Sequence, residues 1–310
     1  MKALSLILFS AVFLLLSLNL PAQKPVYRQF TNEQGLPSSE VYDVLQDKRG
    51  YMWFATDQGI VSYDGYNFTT YNENNGLPEN TVFDLELDKL GNIWINSIRG
   101  HLAYFDGEKI QPYRYNHVLD SLFALNPAKY YLFNTYHIFS PDSIVINTLA
   151  HGFISIDGNG VIHKPFEEDS TYNHLFLLDD GKVLTKGSDW EYRHKYKIYT
   201  PKGILSLEIP RREYSGPRHQ FKVMHHKNRV FLSDYNSIYE IDFEGNIVNK
   251  KNFNSTIYAL NIDDDDNIWI GTATDGLYRF DSLNLTGTPL NYFKRVPISS
   301  FGFDHEGGVW

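Results

Sequence analysis

The sequence predicts an all-β fold assembled from repeated small sheets, and three observations carry that reading. Tryptophans recur 41 residues apart behind an Asp-x-x-Gly signature. Each is embedded in short strand patterns separated by turn residues. Aromatics make up 15% of the 310 residues, nearly all Tyr (22) and Phe (21), side chains that suit a pleated, half-buried surface.

The unit can be read in order. Gly35-Leu36-Pro37 and Gly76-Leu77-Pro78 open two copies. A first strand follows, marked by Val41 and Val44, Val82 and Leu85, Ile257 and Leu260, and Ile298 and Phe301. Next comes the turn: Asp47 to Gly50, Asp88 to Gly91, Asp263 to Asp266, and Asp304 to Gly307. Asp bonds its own downstream backbone, and Gly accepts positive φ without a steric penalty. Gly50 and Gly91 are therefore expected at positive φ, with Asp266 as a poorer left-handed substitute. Trp53, Trp94, Trp269 and Trp310 then share one position in the second strand and are expected to be structural. A turn at Gly59, Gly100 or Gly276 leads into a third strand, and Phe68–Tyr71 is a fourth. Four short strands in about 41 residues is the size of a propeller blade.

Weaker copies fill the middle, with Ile146, Leu184 and Phe231 in the Trp position. The series 53, 94, 146, 184, 231, 269, 310 predicts a β-propeller of about seven four-stranded blades, the seventh incomplete in this chain. A chain stopping inside a strand leaves an open edge, so the expectation is an N-terminal piece of a longer protein. Val26–Phe30 resembles the fourth-strand segment Tyr66–Tyr71 and is expected to serve as an outer strand that closes the ring.

Ahead of the repeats, Met1-Lys2 precedes an almost wholly apolar stretch, Ala3–Leu20, and a small-residue site at Ala22. This reads as a signal peptide over 1–22, with an uncleaved anchor as the alternative. Residues 23–310 then form the exported propeller domain. Zero Cys removes disulfides, thiolate metal sites and cysteine nucleophiles. A net charge of −9 argues against a broad nucleic-acid footprint.

The combination Gly-Leu-Pro-x-x-x-Val, Asp-x-x-Gly-x-x-Trp and Gly-Ile/Leu-x-x-Tyr-Asp resembles the two-component regulator propeller repeat. Positions 35–65 and 76–107 match it well, 257–281 and 298–310 in part, and 114–250 only through turn spacing. The resemblance implies a periplasmic sensor propeller of a bacterial histidine kinase. A connector, a membrane helix and a cytoplasmic kinase would follow, and some members sense carbohydrate fragments. It implies no ligand-binding residue, because the motif is a folding motif.

No metal or cofactor is expected. The Asp263–Asp266 run lacks the alternating ligands and distal Glu of a calcium loop. His225-His226, His194 and His219 lack zinc spacing. No nucleophile elbow occurs. The aromatic clusters outside the beat are the candidate ligand contacts: Tyr113 and Tyr115 in the first insertion, and Trp190, Tyr192 and Arg193 beside the second. Rings with polar tips beside a guanidinium suit a glycan, and the two insertions are expected to share one face. The reading is a non-catalytic sensor of a small molecule or glycan, attached to the membrane by downstream residues. A polysaccharide lyase or glycosidase and a structural scaffold are the alternatives. A homodimer is left open.

Overall fold

The computed structural model describes residues 27–124, 136–148, 152–163, 172–177, 183–188, 193–200, 203–210, 222–242 and 244–310. The leader lies outside them. The first sheet contains β1 (Val41–Gln46), β2 (Met52–Thr56), β3 (Gly59–Tyr63) and β4 (Phe68–Tyr71). The second contains β5 (Val82–Leu87), β6 (Ile93–Ser97), β7 (Leu102–Phe105) and β8 (Ile110–Pro112). β9 (Tyr136–Ser140), β10 (Ser143–Thr148), β11 (Gly152–Ile156) and β12 (Ile162–His163) form the third. The fourth is β13 (Tyr172–Leu177), β14 (Val183–Ser188), β15 (Arg193–Thr200) and β16 (Gly203–Pro210). The fifth is β17 (Lys222–His226), β18 (Arg229–Asp234), β19 (Ser237–Ile241) and β20 (Ile247–Asn252). The sixth is β21 (Ile257–Ile262), β22 (Ile268–Thr272), β23 (Leu277–Phe280) and β24 (Leu290–Tyr292).

All six are antiparallel meanders in which each strand pairs with the next, the blade topology of a propeller. Among the described residues the four-stranded sheets number six, not seven. Beyond the sixth sheet, residues 298–310 make a short hairpin held by a Phe303–Val309 bridge and by reciprocal Gly302–Trp310 backbone bonds.

The expected turns are present. Gly50, Gly91 and Gly307 have φ of 89°, 92° and 82°, and Asp266 has φ 65°. The Gly-Leu-Pro motif has a role that the sequence did not disclose. Gly35 and Gly76 end 3₁₀ turns whose starts carry reciprocal capping bonds, Thr31 with Gln34 and Asn72 with Asn75. Leu36 and Leu77 are then turned into the core.

Packing runs from sheet to sheet. Trp53, Ala55 and Ile60 meet Val82, Leu85, Ile93 and Phe105 across the first interface. Trp94 and Leu102 meet Ile138, Ile144 and Ile154 across the next. Phe231 and Ile238 meet Leu260 and Ile270 between the fifth and sixth sheets. Trp269 and Leu277 meet Ile298 and Phe301. Sheets packed this way bury both faces, which is why every residue of β2, β6 and β22 is buried.

One element departs from expectation. The first insertion, which spans Tyr113–Tyr136 in the sequence, contains a helix, α1 (Asn116–Ala124), in a chain expected to be all-β. Leu119 is fully buried, and the Asn116 side-chain amide both accepts from Leu102 N and donates to Leu102 O. It thereby pairs the backbone of β7 just past the end of β8, as a further strand residue would.

Candidate functional site

The repeat tryptophans share a bond that their spacing alone does not disclose. Trp53 and Trp94 are fully buried, and Trp269 is nearly so. Each indole Nε1 donates to the Asp six residues earlier: Trp53 to Asp47 at 3.1 Å, Trp94 to Asp88 at 3.1 Å, Trp269 to Asp263 at 2.6 Å and Trp310 to Asp304 at 2.7 Å. The other carboxylate oxygen accepts two backbone N–H groups of the turn, as Asp47 does from Arg49 and Tyr51. Burial alone would raise the Asp47 carboxyl, but bonds from Trp53, Arg49 and the turn backbone outweigh it and hold the carboxyl below its ordinary range. Asp263 and Asp304 follow the same balance.

The Asp263–Asp266 run is therefore committed to folding. Asp263 serves Trp269 and the turn, while Asp266 takes Lys227 and His226 from the fifth sheet. Among the described residues no group of three or more His, Asp or Glu is arranged to hold a metal ion.

The expected ligand contacts fare unevenly. Tyr113 is a core residue, 2% exposed, with its ring edge-on to Trp94 and Tyr115. Burial pushes its hydroxyl far above the ordinary range. Tyr113 does not present a ring to solvent, because the fourth-strand position of a blade is filled by an aromatic that covers the tryptophan. Tyr115 is half-buried and donates to the Gly158 carbonyl, next to the Arg114–Asp142 ion pair. Trp190 and Tyr192 lie outside the described residues. Arg193 begins β15, whose backbone alone is described. The shared face expected of the two insertions is thus not visible.

A different constellation lies on the first strands, which surround the propeller axis. β1, β5, β13 and β21 each carry a bulge at the same register, between Val41 and Asp43, Val82 and Asp84, Tyr172 and His174, and Ile257 and Ala259. An extra residue opposes the partner strand at each, an aromatic in three of them (Tyr42, Phe83 and Tyr258) and Asn173 in β13. A bulge re-aims side chains. In β5 it leaves two consecutive residues, Phe83 and Asp84, open to solvent between buried Val82 and Leu85. Tyr42 packs edge-on against Phe83, with centroids 4.9 Å apart, and donates to Glu40 at 2.6 Å. That bond pushes the Tyr42 hydroxyl up to about 12.

Asp43 joins neighbouring first strands. It accepts from Leu85 N at 3.0 Å and from the Ser300 hydroxyl at 3.3 Å. Asp84 is open to solvent although protein crowds around it. That crowding, then the charge of Asp43, holds the Asp84 carboxyl well above its ordinary value; Lys222 opposes the shift. Lys222 pairs with Ser233 as Asp43 pairs with Ala55, so it occupies the equivalent register in the fifth sheet. A lysine of the fifth sheet influences a carboxyl of the second because both first strands face a common axis. Below this level, burial pushes Glu86 up to about 8, partly offset by the Ile138 N–H. The sequence signal for this site was the aromatic-Asp pair eleven and ten residues before each early Trp, at Tyr42-Asp43 and Phe83-Asp84.

The family model described as two component regulator propeller matches residues 35–58 and 252–274. The chain carries two component regulator propeller repeats. A stretch of 70 residues is 41% identical to histidine kinase P4 of Formosa agariphila, covering 23% of this chain and 5% of that protein. Among solved structures, the extracellular domain of the hybrid two component system BT3049 of B. thetaiotaomicron superposes with a TM-score of 0.65 at 18% identity, over 91% of this chain and 40% of that one. The corresponding domain of BT4673 superposes at 0.62 with 13% identity, over 91% of this chain and 41% of that one. These two likenesses concern the fold of the regulator propeller. The chain spans about two fifths of those solved domains and a small fraction of the curated kinase.

Proposed function

We propose that this regulator propeller is the extracytoplasmic ligand-binding part of a membrane two-component signalling protein and is itself non-catalytic. The observation that carries the reading is the Asp–Trp repeat, whose family model and 70-residue kinase relative both belong to two-component systems. The solved domains of the same fold are extracellular parts of such systems, which supports an exported location. A binding domain signals by biasing an equilibrium, and by no more than its differential affinity for the two states. A small molecule or glycan fragment is the ligand class proposed. Fusing alkaline phosphatase after Trp310 in a Gram-negative host tests export. Active enzyme is expected, and an inactive fusion retained in the cytoplasm would overturn the location.

We also infer a seven-bladed ring in which the N-terminal segment supplies the outer strand of the last blade. Three ring pairs support this. Trp53 stacks on Tyr71 at 5.5 Å, and Trp269 on Tyr292 at 5.8 Å, second strand against fourth within one blade. Trp310 stacks on Phe30 at 5.8 Å in the same way. Phe30 precedes Tyr71 by one repeat of 41 residues. The 298–310 hairpin also reaches the first sheet, where His305 N donates to Gln46 at 2.6 Å.

A further inference from the structure

The bulged first strands carry a second set of groups besides those that hold the turns of the repeat. We propose that the axial mouth formed by Tyr42, Phe83, Tyr258, Asp43 and Asp84 is a binding site for an organic ligand carrying a protonated amine. Three features point to that chemistry. First, the bulge extrudes an aromatic on three of the four first strands that carry it, and Phe83 remains 37% exposed although it sits on the innermost strand of its blade. Folding would favour a buried apolar residue there. Second, the charges are one-sided. Glu40 and Asp57 lie around Tyr42, and Asp43 and Glu86 around Asp84, where Lys222 is the opposing cation. Third, aromatic faces beside carboxylates are the combination that attracts an ammonium, by ring quadrupole and by charge-assisted hydrogen bonds.

The raised Asp84 carboxyl adds a signature. Crowding by protein and the neighbouring Asp43 charge raise its affinity for a proton. An ammonium bound there favours the ionised carboxylate and lowers that affinity, so protons pass to the buffer. Binding should therefore release a proton, and Asp84→Asn should abolish that release.

This inference goes beyond the glycan reading and does not depend on it. The test is calorimetric titration of the 310-residue chain with three probes that share one ring: glucosamine, glucose and N-acetylglucosamine. Glucosamine is expected to bind at least tenfold more tightly than the other two. Its measured heat should vary with the ionisation enthalpy of the buffer, which reports proton release. Asp84→Asn and Phe83→Ala should each weaken glucosamine at least tenfold. Tyr66→Ala, on the outer hairpin and 90% exposed, should change nothing. Far-ultraviolet circular dichroism checks that each variant is folded. Should Phe83→Ala fail to fold, Phe83→Leu removes the ring while keeping an apolar side chain. Glucose binding as tightly as glucosamine would overturn the amine proposal and leave the glycan reading standing. Glucosamine binding unchanged by either site variant would overturn the location. No binding of glucosamine would overturn the proposal outright.

Discussion

Replacing Asp47 with Ala removes one carboxylate that serves three hydrogen-bond donors of the chain besides the Arg49 guanidinium. Its effect can be worked out from exposure. The Trp53 indole is fully buried, so its Nε1–H would be stranded without water at a cost of about 1–3 kcal/mol. Tyr51 is 38% exposed and the Arg49 side chain 47%, so water can replace the carboxylate at the two turn N–H groups. Those bonds involve a charged acceptor, and losing their net advantage adds about 1 kcal/mol. The expected loss is about 2–4 kcal/mol, read by denaturant unfolding followed through tryptophan fluorescence. Asp47→Asn keeps an acceptor for the turn but turns an amide N–H₂ toward the indole, or the reverse, so it should cost less than Ala. Asp88→Ala should match Asp47→Ala, because Trp94 is equally buried, whereas Asp304→Ala should cost less at the partly exposed Trp310. The decisive arm is a double-mutant cycle with Trp53→Phe, which removes the indole N–H. A coupling below about 0.5 kcal/mol would show that the Asp–Trp bond is geometric and carries no stability.

Other expectations follow from the same contacts. Asp47, Asp263 and Asp304 have depressed carboxyls, so their stabilisation is complete above the unfolded value near 4 and is lost as pH falls through the folded values; acid titration of stability checks the sign. His101 lies 2.7 Å from Glu79 and 2.8 Å from Asp120 on α1, and although burial lowers its affinity for protons, these partners raise it on balance. Its stabilisation is present below the unfolded value near 6.5 and fades as pH rises through the folded one; Asp120→Asn should lower the imidazole titration midpoint measured by NMR. Gly59→Ala should destabilise more than Gly50→Ala, since a Cβ at Gly59 would run into the Tyr71 carbonyl oxygen while at Gly50 only the positive φ is strained. Trp94→Ala should cost about 3–5 kcal/mol, measured by the same unfolding assay.

Much of the fold was legible because the repeat writes its turns in residue types that have few alternatives. A positive-φ glycine behind an Asp, and a Trp three residues later, admit one hairpin, and the four outer copies agree. The bond from each indole to its Asp was legible only as a constant six-residue spacing, because spacing does not reveal which polar atoms meet. Helix α1 was missed because its 3.6-residue pattern is short and sits in an insertion between strands. Tyr113 was read as a ligand contact on its aromatic neighbours, but it occupies the place of Tyr71 in the next blade and covers Trp94. The axial site was missed for a related reason. Tyr42, Phe83 and Tyr258 look like ordinary strand residues until the bulges turn them out, and a bulge depends on pairing between strands.

The central claim, that this propeller binds a ligand without transforming it, is tested most directly by one experiment. The 310-residue chain is incubated with a set of small oligosaccharides and amino sugars while binding is followed by protein chemical shifts and the sugars are analysed by mass spectrometry. The account predicts saturable shifts for at least one compound, centred on first-strand residues such as Phe83 and Asp84, with every sugar recovered intact. Cleaved or unsaturated sugar products, or no shift with any compound, would contradict it.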